Sequence, residues 1–176
     1  MSKLLHLTRG HSVLVDDDFM DELVALGQDE SWHACERHGS VYGKRMLGRS
    51  PLWTPTNRRF LYEWLHHRIL GTRPPTVIDH ISGDTRDCTR ANLRIASPRG
   101  NAQNRRKIPG TSSRYKGVSR NKDKRRWRVS IYAPALNKDI VLGVLESEEE
   151  AARCYDVAAR MLHGEFARLN FPGECE

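Results

Sequence analysis

Between Val77 and Arg105 the chain reads VIDHISGDTRDCTRANLRIASPRGNAQNR. Val77 to His80 and Leu93 to Ala96 are short apolar runs of the kind that form strands. The polar stretch 82–91, opened by Ser82-Gly83-Asp84, forms the loop between them. Ser97-Pro98 then starts a helix, with Ser as N-cap and Pro at the first helical position. This strand, loop, strand, helix order puts Asp79 and His80 at a strand end and Asn101 about one turn into the helix. His80 and Asn92 are 12 positions apart, and Asn101 follows 9 later.

The rest of the chain limits what can surround that unit. With 176 residues and 38% hydrophobic content, two small domains with modest cores are favoured over one large core. The formal net charge is +7, unevenly placed. From Arg90 to Arg128 there are 14 Lys or Arg against one acid, Asp123. Residues 16–30 are acid-rich, with Asp16, Asp17, Asp18, Asp21, Glu22, Asp29 and Glu30. A concentrated basic segment beside an acidic remainder suits a polyanion partner; the bland alternative is a solvated basic linker. Cys35, Cys88, Cys154 and Cys175 form no C-x-x-C pair, which argues against a zinc ribbon or a disulfide framework. They read as thiols of a reducing cytoplasm. No apolar run has transmembrane length and no signal peptide is evident, so a cytoplasmic protein is expected.

Residues 1–60 read as a β-rich region. Leu4 to Leu7 and Ser12 to Val15 are strand-like runs around an Arg9-Gly10 turn. Phe19, Leu23 and Leu26 have helical spacing before Gly27. Trp32, Val41, Tyr42 and Trp53 suggest strands, punctuated by Gly39, Gly43, Gly48, Pro51 and Pro55. Residues 60–71, FLYEWLHHRILG, are expected to form one helix with Leu61, Trp64, Leu65 and Ile69 on a face and Gly71 ending it. Residues 107–114 are the expected linker. Beyond it, Trp127, Val129 and Ile131 alternate with Arg128, Ser130 and Tyr132. Ile140 to Leu145 is a further strand. Ser147-Glu148-Glu149-Glu150 is a capping box opening a helix with a stripe of Ala151, Tyr155, Ala158, Ala159 and Leu162.

These residue types suit phosphodiester hydrolysis. His80 can take a proton from water near neutral pH. Asp79 and Asn101 offer hard oxygens to one Mg²⁺ or Mn²⁺, with water and phosphate oxygens completing the shell. Asn92 can brace the loop and orient the imidazole. Adjacent residues on a regular strand point to opposite faces, so a site using both Asp79 and His80 needs an irregular strand end or a metal to one side of the base. Taken singly, each of these residues is more often structural; the combined spacing carries the reading. Asp84 and Asp87 are explained by turn formation. One of His66 and His67 is expected as a structural hydrogen-bonding residue near the site. His33, Cys35 and His38 lack a fourth ligand of suitable spacing and read as surface or packing residues.

LHHRILG, IDHISGD, NLRIAS and NAQNR, over residues 61–106, resemble the HNH domain of phage homing endonucleases, and LTRG and LVDDD resemble the leader of such proteins. The resemblance implies a ββα-metal fold of the H-N-N type. Asp79 and Asn101 would bind metal, His80 would be the general base and Asn92 would orient it. Cys88 stands where Asn is usual, and it is not among the proposed metal ligands. SRYKGVS, RRWRVSIY, VLG, EEEAARCYDVAAR and HGEFARLNFP, within 115–172 and the residues just before, resemble an AP2 DNA-binding domain. That likeness implies a three-stranded antiparallel sheet packed on one helix, with Lys116, Ser119, Arg120, Lys122, Arg128, Ser130 and Tyr132 toward duplex DNA. Val141 stands where many members have Trp. Arg105 and Arg106 are expected phosphate clamps. The expectation is an α+β site-specific DNA endonuclease of homing type. It would nick one strand as a monomer, a dimer giving a double-strand break, with one Mg²⁺ or Mn²⁺ per site. The alternative is a non-catalytic AP2-type DNA-binding regulator with an inactive nuclease core.

Overall fold

The N-terminal runs pair as expected. In the computed structural model, which describes residues 1–51 and 60–174, β1 (Ser2–His6) and β2 (Ser12–Asp16) form an antiparallel hairpin. Trp53, Pro55 and Cys175 lie outside the described residues. Strand alternation turns Leu5, Val13 and Val15 fully inward. Arg9 and Gly10 take positive φ at the turn, 63° and 74°. Next, α1 (Asp17–Ala25) buries Phe19 and Leu23. Leu26, expected on the same stripe, is instead the C-cap and is exposed, because the chain leaves the helix there and turns at Gly27.

β3 (His33–Arg37), β4 (Ser40–Arg49) and β5 (Phe60–Trp64) form an antiparallel sheet in that order. This corrects the single helix expected over 60–71. Only α2 (Leu65–Ile69) is helical, and Phe60 to Trp64 pairs with β4. The apolar spacing fits a helix, but Phe60, Tyr62 and Trp64 also alternate, and aromatic side chains suit a pleated surface once a partner strand is present. Leu61 is accordingly exposed, while Leu65 and Ile69 are buried. Gly71, at φ 61°, follows the helix end as expected.

β6 (Val77–His80) and β7 (Leu93–Ala96) pair antiparallel, with Asp79 opposite Arg94 and His80 opposite Leu93. The loop between them docks on β2. The Leu14 amide donates to the Arg86 carbonyl (2.7 Å), and the Cys88 amide donates to the Leu14 carbonyl (2.8 Å). The Arg90 amide donates to Asp16, and its guanidinium holds Asp18. Leu5, Phe19, Leu23, Trp32, Leu65, Cys88 and Leu93 share one core, so hairpin, α1, α2 and β7 are packed together. This is the first of two compact units, Met1–Ser97.

The second unit, Pro98–Glu176, begins with α3 (Pro98–Gln103). Its sheet is β10 (Lys138–Leu145), β9 (Trp127–Ala133) and β8 (Val118–Arg120), antiparallel with β9 central. One helix, α4 (Glu148–His163), packs on it. The Ser147 hydroxyl caps α4 by accepting from the Glu150 amide, as the capping box predicts. Trp127, Val129 and Ile131 are buried against Ala151, Tyr155 and Ala159. Leu162, expected in the stripe, is exposed; Ala152, Asp156 and His163 are buried in its stead. Asp156 tolerates burial because its carboxylate accepts from the amides of Asn170 and Phe171 and from the Asn170 side chain. Ser113 is also buried and donates to Glu148 (2.7 Å), tying that part of 107–114 to α4. The architecture is mixed α+β, built of small antiparallel sheets. Among the described residues no helix is long and apolar enough to cross a membrane.

Candidate active site

In the first unit, β6 ends in two buried polar residues, Asp79 (3% exposed) and His80 (6%). The pairing with β7 is regular through both, so their side chains leave opposite faces of the hairpin. On one face Arg94 donates from Nε (2.9 Å) and from a terminal nitrogen (2.7 Å) to Asp79 Oδ2. The two residues stand directly across the strands, where opposite charges support each other. On the other face, the His80 ring meets Tyr42 edge-on at 6.2 Å and His66 at 5.7 Å between centroids. Cys88 Sγ lies 4.0 Å from His80 Nε2. The thiol therefore touches the candidate base, which the sequence did not signal. Burial pushes that thiol up to about 12, which keeps it protonated.

Burial lowers the pKa of His80, opposed by the charges of Asp79, Asp87 and Asp84. A neutral imidazole is the form that can accept a proton from water. Asn92 is buried and spends its amide on the loop that follows His80. Its Oδ1 accepts from the Ser82 amide (2.8 Å), and its Nδ2 donates to the carbonyls of Asp87 (2.7 Å) and Asp84 (3.5 Å). Its own carbonyl accepts from the Ile81 amide (2.8 Å). Asn92 thus fixes the backbone on both sides of the His80 turn. Asp84 and Asp87 form the expected turns, accepting from Arg86 and from Thr89.

Three neighbours were not assigned to the site from sequence. Arg94 binds Asp79, Tyr42 packs on His80, and His66 sits between His80 and Trp64, stacked on the indole at 25°. Burial and the adjacent His80 and His67 hold His66 down to about 3. His67 is the structural histidine, buried and hydrogen-bonded through Nδ1 to Thr72 (2.9 Å). The double histidine was the signal; which one turns to the site depends on where α2 begins.

The donor chemistry can be compared with a metal. Asp79 carries a buried carboxylate, and Asn101, half-buried on α3 of the second unit, carries a carboxamide oxygen. Hard oxygen donors fit Mg²⁺ or Mn²⁺ better than Zn²⁺. Among the described residues no group of three or more His, Cys, Asp or Glu is placed to hold a metal.

The second unit places the expected nucleic-acid residues unequally. Arg128 is exposed on the sheet face opposite α4, with Ser119 beside it on β8. Ser130 and Tyr132 follow on that face but are half-buried. They line a cavity of about 350 Å³ with Arg99, Ala102 and Gln103 of α3. Tyr132 donates its hydroxyl to Asn137 (2.7 Å). Arg120 stacks over Trp127 at 3.8 Å, and Lys122, Arg105 and Arg106 are exposed. Lys116 is turned inward, its ammonium donating to the carbonyls of Gln103 and Arg105. Burial and nearby Arg168 bring it down to about 8.

No family model matches the chain. Over 70 residues, 38% of its length, it is 46% identical to the AP2-like ethylene-responsive transcription factor PLT2 of Arabidopsis thaliana. The AP2-like factor ANT of the same plant gives the same identity over the same length. Over 131 residues, 72% of its length, it is 30% identical to the uncharacterized HNH endonuclease L560 of Acanthamoeba polyphaga mimivirus. These matches fit a two-part architecture. The chain spans 12% of PLT2, 13% of ANT and 66% of the mimivirus protein.

Proposed function

We propose that this chain is a metal-dependent HNH-type endonuclease acting on duplex DNA, with an AP2-like domain that holds the target. The observation that carries this reading is the buried, neutral-tending His80 at the end of β6, on a turn braced by Asn92, with Asp79 on the opposite face of the same hairpin. The likeness to a protein named as an HNH endonuclease supports it from a separate direction. His80 would accept a proton from water as that water attacks phosphorus in line. The bond to the 3′ oxygen breaks, leaving 5′-phosphate and 3′-hydroxyl ends. Asn92 would keep the imidazole in place through the backbone of 81–87. Arg94 would fix the Asp79 carboxylate. A Mg²⁺ or Mn²⁺, for which Asp79 is the candidate ligand in the first unit, would supply positive charge for the leaving oxygen. One such site per chain suits a nick by a monomer. Homing-type specificity, a phage origin and action in a host cytoplasm belong to the same proposal.

In the second unit, Arg128, Ser119, Arg120 and Lys122 would meet DNA, with Arg105 and Arg106 on phosphates. The test is nicking of supercoiled DNA in Mg²⁺, Mn²⁺ or EDTA, with His80→Ala in parallel. Metal-dependent open-circle product that disappears in the variant is expected. The similarity to proteins named as transcription factors favours a second reading, a DNA-binding regulator. Tight duplex binding with no nick under any metal would select it.

A further inference from the structure

The sheet β3–β4–β5 has two chemically different faces. One face packs inward: Ala34 and Gly43 are buried, and an added Cβ at Gly43 would meet Leu65 at 3.0 Å. Glu36 and Glu63 lie on that side, paired with His11 and Arg45. Among the described residues, the outer face of this sheet carries no acidic side chain. The register there sets Tyr42 beside Cys35, Lys44 beside Trp64 and Met46 beside Tyr62. Cations sit over its rings, with Lys44 Nζ 4.1 Å from the Tyr62 centroid and Arg37 5.3 Å from that of Trp64. Tyr62 is 41% exposed. This strip runs into the candidate active site without a break, since Trp64 stacks on His66, and both His66 and Tyr42 contact His80.

We propose that this outer face is a platform for unpaired nucleotides of the strand to be cut, taking base faces on its rings and phosphates on its cations beside His80. In a paired duplex the bases show only their edges in the grooves. The exposed Tyr62 ring, flanked by Lys44 and followed by the half-buried Tyr42 and Trp64, suits a base that has left the stack. The absence of acids on this face, against two on the reverse, gives the charge complementarity to a polyanion. Its position next to the candidate base fits a short stretch of opened strand leading to the scissile phosphate. The inference rests on the nuclease reading of the first unit and adds how its substrate is held.

The test compares two fluorescein-labelled DNAs of one sequence, a full duplex and one with a central unpaired bubble. Binding is measured in EDTA, so no cleavage is required. The wild-type chain is expected to prefer the bubble. Tyr62→Ala should weaken bubble binding by about 5- to 150-fold, the range for one lost base stack, and leave the duplex unchanged. Tyr62→Phe should retain the preference, because the ring face remains. Lys44→Gln, which keeps a similar stem without the charge, should weaken the bubble complex alone and checks the result should Tyr62→Ala fold poorly. Equal affinity of wild type for both DNAs, or a bubble affinity untouched by Tyr62→Ala and Lys44→Gln, overturns the platform. Neither result bears on metal-dependent nicking, which tests the nuclease reading separately.

Discussion

Gly117→Ala should damage the second unit far more than its single added methyl suggests. Gly117 has φ 75°, and a Cβ built there would lie 1.9 Å from Tyr155 Cδ2 and 2.2 Å from Cε2. The Tyr155 ring is 3% exposed and packed among Val118, Val129 and Ala151, so it can yield only by repacking toward the cavity that it and Gly117 line. The Gly117 carbonyl also accepts from the Ser130 amide (2.9 Å), which resists a backbone shift. The left-handed conformation alone costs a side chain about 1–2 kcal/mol. Overpacking adds about 1–3 kcal/mol. The sum is about 2–5 kcal/mol, against about 4–12 kcal/mol for the whole stability of a unit of roughly 80 residues. Gly110→Ala is the control, with a similar φ of 79° but nothing within 4 Å of the new Cβ. It should cost about 1–2 kcal/mol. The assay is urea unfolding of the full chain, with amide exchange in β9 and α4 reporting the second unit. Equal costs for the two alanines would show that the Tyr155 contact is not the restraint.

Acid should destabilise the first unit through His66. Its folded value is about 3, against an ordinary value of 6.5. As pH falls the unfolded chain takes the proton first, so this contribution is complete above about pH 6.5 and is lost toward pH 3, by about 1.4 kcal/mol per pH unit. His67 and His80 are shifted in the same direction, so His66→Gln should reduce the acid slope of urea unfolding rather than abolish it; an unchanged slope would refute the assignment. In the sheet of the second unit, Arg128→Gln should lower the dependence of duplex binding on log salt by about one unit of slope. Lys116→Gln should leave it near wild type, because that ammonium is held by two carbonyls. A larger loss from Lys116 than from Arg128 in a salt titration would reverse the orientation argued for this face.

Local chemistry explains most of what was legible in the sequence. The β1–β2 hairpin, the β6–loop–β7 order, the Ser147 cap and the alternation of β9 follow from periodicity and turn residues within a few positions of one another. So do the types of residue at the candidate site, because acid–base chemistry restricts which side chains can serve. Partners distant along the chain had to be supplied by the tertiary structure. Residues 60–64 have apolar spacing that fits a helix, and only the presence of β4 makes them a strand. Arg94 faces Asp79 because the loop sets the β6–β7 register, which neither strand encodes alone. His66 and Tyr42 reach His80 from separate elements, and Cys88 comes to it because the β6–β7 loop docks on β2. Lys116 looks in sequence like any other cation of a basic run, yet the fold turns it inward onto two carbonyls. A side chain's chemistry is fixed by its identity, whereas burial and partners depend on the whole packed chain. The sequence therefore named the groups at the candidate site, and the fold decided which of them meet and in what charge state.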